Sequence, residues 1–208
     1  MKRTNLSSCA SALVLAAGLF AATFPASGQS ILININEANP SAVRFTATSA
    51  NSFANSSTVN SLFGVDLFSF FTAAPAVVAG ATTGNLIPAG ASNAYTQWIP
   101  DNLLAAGRYV DLNLYDTSNP QTQVFSTSSQ VFSGTATIDL SSLLAYLPAT
   151  GASGNIYSGD SHTPGQIWLL GTWVVVPEPS VEAQLVLGAM VLAGLAFVRR
   201  SRRVSASR

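Results

Sequence analysis

Short apolar runs and polar breaks alternate along the chain from Gln29 to Val176. The runs are rich in β-branched and aromatic residues, and Gly, Pro, Asn and Ser stand between them, which favours strands joined by turns. The segments with the strongest pattern are ILININ (31–36), VRFTATSA (43–50), GVDLFSFF (64–71), RYVDLNLYD (108–116), VFSGTATIDL (131–140) and QIWLLGTWVVV (166–176). Each of these segments is predicted to form a strand.

Segment 108–116 has the clearest alternation. Successive side chains of a strand point to opposite faces, so its apolar residues face one way and its polar and aromatic residues the other. The first set is Val110, Leu112 and Leu114, and the second is Tyr109, Asp111, Asn113 and Tyr115. Segment 166–176 is apolar on both faces, which is typical of a central strand. Trp168 and Trp173 have opposite parity in it, so we expect at least one of them in the core.

Turn residues recur at short intervals, and helical patterns are scarce. Many short strands with regular breaks predict a mainly β domain, an antiparallel β-sandwich or jelly roll, over residues 29–176. Ser141 to Leu147 is predicted to form a short helix after Asp139, and the polar stretch 49–61 a loop. A domain of this length can bury a core without disulfides.

Charge is sparse and uneven. The formal net charge of the whole chain is zero, but residues 29–176 carry only two basic residues, Arg44 and Arg108, against seven acidic ones. A mildly acidic domain without lysine is a poor match for nucleic acid, which requires clustered basic side chains. The remaining basic residues lie near the two ends of the chain.

The N-terminal segment 1–28 has the three parts of a secretory signal peptide. Lys2 and Arg3 supply the positive end, residues 10–24 the apolar stretch, and Ala26 and Gly28 the small residues that a signal peptidase recognises. We expect cleavage before Gln29, which removes the chain's one cysteine with the leader. The alternative is an N-terminal membrane anchor or a buried helix.

The C-terminal segment predicts a single transmembrane helix over residues 181–198. Its apolar run of 16 residues, 183–198, would cover about 24 Å as a helix, against a hydrocarbon core of about 30 Å. Mismatch of this size is tolerated at modest cost. By the positive-inside rule, we expect the basic cluster after the run to stay in the cytoplasm together with the tail 204–208. The cluster consists of Arg199, Arg200, Arg202 and Arg203.

Pro177, Glu178 and Pro179 lie just before the predicted helix. Each proline fixes its own φ and disfavours helix in the residue before it, so this stretch is extended and makes few internal hydrogen bonds. An extended segment at a fixed height above a bilayer suits recognition by a membrane-embedded enzyme. A stiff linker between domain and anchor would have the same form, and the residues alone leave both interpretations open.

The order Val-Pro-Glu-Pro-Ser, apolar segment and Arg-Arg near a C-terminus resembles the PEP-CTERM sorting signal. The resemblance covers residues 177–203 and the valine before them. It implies export in a Gram-negative bacterium that produces exopolysaccharide, and recognition by an exosortase, an integral-membrane enzyme that cuts near Pro177-Glu178-Pro179. The precursor would be anchored in the inner membrane, and the processed protein would reach the cell surface or the medium. The resemblance does not set the function of residues 29–176.

Catalytic and metal-binding patterns are weak. His162 and Asp160 alternate in a Gly-rich and Pro-rich stretch without a nucleophile elbow, so no catalytic residue is predicted. Zinc would need three or four ligands. The predicted mature chain has one histidine and no cysteine, so it lacks the usual zinc ligands. Asp111, Asn113 and Asp116 offer oxygen ligands for calcium at short spacing, although polar residues are expected on the outer face of a strand in any case.

Aromatic residues offer a possible sugar-stacking surface. The candidates are Trp98, Trp168, Trp173, Tyr95, Tyr109 and Tyr115. Tyr109 and Tyr115 are the better surface candidates because they share the polar face of segment 108–116.

The sequence therefore predicts an exported, non-enzymatic protein without a cofactor, structural or adhesive in the cell envelope or an exopolysaccharide (biofilm) matrix. The expected partners are an exosortase-like enzyme, the membrane through a transient anchor, and exopolysaccharide. The alternatives are a carbohydrate-binding or calcium-binding module of the matrix and, with less support, a secreted hydrolase.

Overall fold

A computed structural model of the chain describes residues 29–76, 78–101, 109–158 and 167–177. The strands in this part of the chain are β1 (Ile31–Asn36), β2 (Val43–Ala47), β3 (Ser56–Asn60), β4 (Val65–Leu67), β5 (Gly80–Gly84), β6 (Ile87–Pro88), β7 (Gln97–Asp101), β8 (Asp111–Tyr115), β9 (Thr122–Phe125), β10 (Phe132–Ser133), β11 (Thr135–Ile138), β12 (Ser153–Ser158) and β13 (Trp168–Val175). Short 3₁₀ helices cover Pro40–Ala42 and Ser141–Tyr146. The predicted mainly β class is confirmed.

The main sheet closes on itself as a nine-stranded barrel in the order β1-β13-β12-β4-β8-β7-β5-β11-β2. Two further sheets of two strands each pair β6 with β10 and β3 with β9. The sandwich or jelly-roll form of the prediction is not confirmed, because ladder hydrogen bonds run unbroken around the barrel. Alternation along a strand predicts the strand and its faces, but it does not say which strands become neighbours.

The first and last strands close the barrel. β1 runs parallel to β13, with Ile35 opposite Val175, whereas the other neighbouring pairs of the barrel are antiparallel. The Thr172 N–H also donates to the Ser30 carbonyl at 3.0 Å. Closure removes the exposed sheet edges that would otherwise pair with other chains. Residues from both ends of the 29–176 domain are therefore needed to complete the sheet.

The strand register separates an apolar interior from a polar outer face. On β4 and β8, Val65 lies opposite Leu114 and Leu67 opposite Leu112, and these four side chains are fully buried inside the barrel. The pleat places Asp66 and the other intervening residues of these strands on the outer face.

Aromatic side chains fill the barrel at both rims. At the rim where β1, β11 and β13 end, the Phe70 ring packs against Trp173 with centroids 5.5 Å apart and against Phe71 at 5.0 Å. At the opposite rim, Phe132 packs against Phe125 at 6.1 Å. We call the first rim the exit rim, because the described chain leaves the barrel there at Pro177.

Several predicted strands are confirmed, the first with its predicted bounds and the others with changed bounds. Segment 31–36 is β1, segment 108–116 contains β8, and segment 166–176 contains β13, which pairs on both sides as a central strand should. Trp173 is buried and Trp168 is partly buried, in agreement with the parity argument. The predicted short helix at 141–147 forms as the second 3₁₀ helix.

Two predicted strands are interrupted. Segment 64–71 pairs only over β4, because Ser69 adopts a positive φ of 54° and turns the chain so that Phe70 enters the core. Segment 131–140 is divided into β10 and β11 at Gly134, whose φ is 81°. The prediction of a loop over 49–61 is wrong in part, because Ser56–Asn60 pairs with β9. Its Ser/Thr-rich sequence lacks the apolar alternation of the six predicted strands, and β5, β6, β7, β9 and β12 were not predicted either.

Candidate functional site

The predicted ligand residues of segment 108–116 lie mostly beneath the surface. Asp111 is 0% exposed, Asn113 and Asp116 are also buried, and Tyr115 is half-buried. Tyr109 is 38% exposed but lies outside β8, which begins at Asp111. Tyr109 and Tyr115 therefore do not share an exposed face of one strand, which is what the alternation predicts.

The polar atoms of β8 are engaged in internal hydrogen bonds. The Ser69 N–H donates to Asp111 Oδ1 at 2.7 Å, which holds the turn after β4 against the start of β8. The Asn113 side-chain amide donates to the Phe63 carbonyl at 2.9 Å. These side chains tie the chain around β4 to β8, which is a structural task.

Asp66 lies on the outer face of β4, opposite Asn113, and is 1% exposed. One oxygen, Oδ1, is buried without a hydrogen-bond partner. Burial raises the pKa of the Asp66 carboxyl well above its usual value, and the neighbouring Asp101 raises it further; a hydrogen bond from Asn113 lowers it, and Asp111 raises it. Folding therefore shifts Asp66 toward its protonated form relative to the unfolded chain.

Asp116 follows β8 and has the opposite character. Its Oδ1 accepts the Thr96 hydroxyl at 2.8 Å, the Ser118 hydroxyl at 2.7 Å and the Ser118 N–H at 2.9 Å. Burial raises the pKa of this carboxyl, but the hydrogen bonds from Ser118 and Thr96 outweigh burial and lower it below the usual value. Asp116 is thus held as a carboxylate by the loop that follows the strand.

No metal cluster is found in the described part of the chain, where three or more His, Cys, Asp or Glu side chains do not converge on one point. The calcium hypothesis for Asp111, Asn113 and Asp116 stays a prediction. Asp111 Oδ1 accepts from Ser69, and Asp116 Oδ1 accepts from Thr96 and Ser118, so a cation at either of these oxygens would have to displace the donors. Asp116 Oδ2 is buried without a hydrogen-bond partner.

A cavity of about 300 Å³ opens at the exit rim of the barrel. The start of β5, the inward-facing Trp98 of β7 and the chain after β11 come together there because β11 and β7 pair on either side of β5. The lining residues are Val78, Ala79, Gly80, Ala81, Trp98, Asp139, Ser141 and Ser142. The mouth of a β-barrel is a common place for a small-molecule site.

Asp139 is the ionisable group of this cavity. Its Oδ1 accepts the Ser141 hydroxyl at 2.6 Å and the Ser141 N–H at 2.9 Å. These two hydrogen bonds lower the pKa of the Asp139 carboxyl, so it is ionised at neutral pH. The bonds fix the carboxylate at the start of the second 3₁₀ helix and leave Oδ2 to accept from solvent or a ligand.

Trp98 and Gly80 form the inner end of the cavity. They lie opposite each other on β7 and β5, and Trp98 is 4% exposed. A methyl group on Gly80 would lie 2.5 Å from the indole Nε1, so glycine is needed for the indole to lie against this strand. The indole is thereby held against Gly80, with Nε1, Cε2 and Cζ2 as its nearest atoms.

A second cavity, of about 180 Å³, lies beside β6 and β10 at the opposite rim. Gln130 is its largest polar lining side chain, and its amide already donates to the Thr48 carbonyl at 3.1 Å. This cavity offers less chemistry than the one at the exit rim.

The sequence analysis named Trp98 but missed Asp139, Ser141 and Ser142 as possible site residues. An Asp-x-Ser pattern directly after a strand was the available signal, since Asp and Ser side chains close local turns. Their meeting with Trp98 depends on the strand order, which the sequence pattern does not give.

Other predicted functional residues lie outside the described residues. They are Ala26 and Gly28 of the predicted leader, Asp160 and His162, and the C-terminal residues from Glu178 onward, with Pro179 and the arginines at 199, 200, 202 and 203. Within the described ranges, no helix is long and apolar enough to cross a membrane.

Comparison with known proteins gives no relative: no family model, no curated protein and no solved structure matches the chain.

Proposed function

We propose that this chain is an exported protein whose C-terminal segment is a temporary membrane anchor, cut by an exosortase-like enzyme. The barrel then serves outside the cell as a structural or adhesive component of a polysaccharide matrix. The order of Pro177-Glu178-Pro179, apolar segment 181–198 and arginine cluster supports the sorting step.

The position at which the barrel ends is the observation that carries this proposal. β13 ends at Val175, the Val176 N–H donates to the Ile35 carbonyl at 2.8 Å, and Pro177 is exposed. The Pro-Glu-Pro segment thus begins where the last hydrogen-bonded residue of the barrel stops. A cut anywhere after Pro177 leaves every barrel strand intact.

The N-terminal end of the barrel agrees with this arrangement. β1 begins at Ile31, and Ser30 accepts the Thr172 N–H. Cleavage before Gln29 would remove the leader without removing a residue that pairs with β13. Both proposed processing steps therefore flank the folded unit.

Carbohydrate binding is the second candidate function, and the cavity at the exit rim favours it. The calcium alternative has weaker support because the carboxylates of Asp111 and Asp116 accept internal hydrogen bonds. The hydrolase alternative depends on His162, which lies outside the described residues.

Replacement of Glu178 tests the sorting step. We expect the Glu178→Ala protein to stay at full length in the membrane fraction of its native host, because the enzyme would lose the side chain between the two prolines. Glu182→Ala is the matched control, since it removes the same side chain four residues later. Intact mass of the cell-surface form distinguishes the outcomes.

Two results would overturn the proposal. One is a Glu178→Ala protein of normal mature mass at the cell surface. The other is a wild-type surface form that still contains Arg199 to Arg203, because its anchor would never have been removed.

A further inference from the structure

The cavity at the exit rim combines a fixed carboxylate with hydroxyl groups on one side. Asp139 is held by Ser141 through two hydrogen bonds of 2.6 and 2.9 Å, and Ser142 is exposed beside it on the same 3₁₀ helix. An ionised carboxylate has about four acceptor sites on its two oxygens, so Oδ2 can still accept beside the two Ser141 bonds to Oδ1, and a serine hydroxyl both donates and accepts. This side of the cavity therefore matches a ligand with neighbouring hydroxyl groups.

The other residues that line the cavity are apolar and small, apart from Trp98. Val78 and Ala79 are exposed there, and the Trp98 indole lies at the inner end against Gly80. A wall of this kind accepts C–H groups, while the edge of an indole accepts contact with both apolar and polar atoms. The two sides together favour a ligand that is polar on one edge and apolar on its face.

We propose that this cavity binds a neutral hexose unit of a polysaccharide, with its hydroxyl groups on Asp139 and Ser142 and its C–H face toward Val78 and Trp98. A sugar ring has both of the surfaces that the cavity requires. The inference deepens the second candidate function, carbohydrate binding, on which it rests, and it stands whether or not the C-terminal segment is removed.

Size and charge narrow the ligand class. The volume of about 300 Å³ lies at the lower end of ligand sites, which span about 300–1,000 Å³, so it fits one ring better than a long segment. Asp139 is ionised, and residues 29–176 carry seven acidic residues against two arginines. Uronic acid units would be repelled, which favours a neutral sugar.

The test is a titration of the full chain in detergent with neutral hexoses and their short oligomers, followed by nuclear magnetic resonance of the three tryptophan indole N–H groups. We expect the Trp98 signal, assigned by Trp98→Phe, to shift in a saturable manner. The Trp173 signal should stay in place, because its indole already donates to the Phe68 carbonyl inside the barrel.

Substitutions distinguish this site from general surface binding. Asp139→Asn keeps an oxygen for the Ser141 bonds but removes the charge, and we expect about tenfold weaker binding because charge-assisted hydrogen bonds are about twice as strong as neutral ones. Ser142→Trp should fill the cavity and abolish binding. Leu144→Trp is the matched control, because Leu144 is exposed on the same 3₁₀ helix and does not line the cavity.

Three outcomes would overturn the proposal. The first is no shift of the Trp98 signal with any neutral sugar. The second is a response only to polyuronates or only to tetramethylammonium, which would assign the cavity to another ligand class. The third is sugar binding that Ser142→Trp and Leu144→Trp leave equally unchanged.

Discussion

Asp66 and Asp116 are both buried aspartates beside β8, but their surroundings shift the pKa of the carboxyl in opposite directions. Each of the two has one buried carboxyl oxygen without a hydrogen-bond partner. Burial and the neighbouring Asp101 raise the pKa of the Asp66 carboxyl. Asp116 accepts three hydrogen bonds from Thr96 and Ser118, and the pKa of its carboxyl is lowered. Burial alone therefore does not decide the direction of the pKa shift; hydrogen-bond donors and neighbouring charges around each carboxyl decide it as well.

The two carboxyls also make the stability of the barrel depend on pH in opposite directions. Because the pKa of Asp66 is raised on folding, its contribution falls as pH rises above the ordinary value of 3.8. Because the pKa of Asp116 is lowered on folding, its contribution is present above 3.8 and is lost as pH falls further. The following predictions test this contrast.

Gly64→Ala should have the largest effect, because Gly64 packs the start of β4, the strand of Asp66, against the end of β8, which Asp116 follows. It precedes β4 with a φ of 65°, and a methyl group there would lie 1.8 Å from the Leu114 carbonyl oxygen. We expect a loss of more than about 4 kcal/mol in the free energy of unfolding, enough to prevent folding. Urea unfolding followed by tryptophan fluorescence measures it.

Gly151→Ala is the control for this substitution. Gly151 has a φ of 87°, but nothing lies within 4 Å of the position of the added methyl group. The cost is then the backbone strain alone, about 1–2 kcal/mol. Equal losses in the two variants would show that close packing of β4 on β8 is not what the glycine at position 64 provides.

Asp116→Ala should have the second largest effect. It removes the acceptor of three hydrogen bonds from Thr96 and Ser118 in a buried setting, and we expect a loss of about 3 kcal/mol at pH 7. The loss should shrink as pH falls below the ordinary pKa of 3.8, because the unfolded chain then takes up a proton that the folded carboxylate does not yet bind. Differential scanning calorimetry across this pH range measures both quantities.

Asp139→Ala is a matched comparison for Asp116→Ala. Asp139 accepts the same pair of bonds from a serine two residues later, but it is exposed. We expect a clearly smaller loss of stability. A loss as large as that of Asp116→Ala would contradict the view that burial makes the acceptor indispensable.

Asp66→Asn should stabilise the barrel at high pH. The asparagine amide can donate toward Asp101 as the protonated carboxyl does, and it carries no charge to be buried. We expect the variant to be more stable than the wild type at pH 8, because the buried carboxyl of the wild type costs free energy when it ionises and the neutral amide does not. At pH 4 the variant and the wild type should unfold alike.

An equal change at pH 4 and pH 8 would mean that packing, and not ionisation, distinguishes the two side chains. The contrast with Asp116 would then be lost. The measurement is the urea midpoint at both pH values.

The contrast between the two aspartates also shows what the sequence could predict. Alternation in segment 108–116 correctly placed Leu112 and Leu114 on one face and Asp111 and Asn113 on the other. It took the polar face to be an open surface, yet both of those polar residues are buried. Ladder neighbours and the turn at Ser69 decide this, and they depend on contacts between residues far apart in the chain.

The sequence did not predict the candidate cavity for the same reason, because the cavity depends on contacts between residues far apart in the chain. Trp98 was named for its chemistry, and Asp139 only as the residue before a helix. The two meet because β7 and β11 pair on either side of β5. The β5 sequence, Gly80–Gly84, has no apolar alternation, so the sequence pattern does not predict the strand that lies between β7 and β11.

Glu37→Gln should have the smallest effect and extends the comparison to a half-buried carboxyl. Burial raises the pKa of Glu37 from 4.5 to about 7, and its Oε1 is buried without a hydrogen-bond partner. The wild-type barrel should therefore lose stability between pH 4.5 and 7, and the variant should lose less. Because solvent screens a half-exposed group, we expect a difference of about 1 kcal/mol or less at pH 8.

Glu37 lies next to β1 at the exit rim and Asp66 on β4, so the two groups belong to different parts of the barrel. If their effects are independent, the double variant that combines Glu37→Gln with Asp66→Asn should show the sum of the two single gains at pH 8. Stability of this double variant should then depend on pH mainly through Asp116 and fall only in acid. A double variant that still loses stability between pH 4.5 and 7 would show that another group titrates on folding in this range.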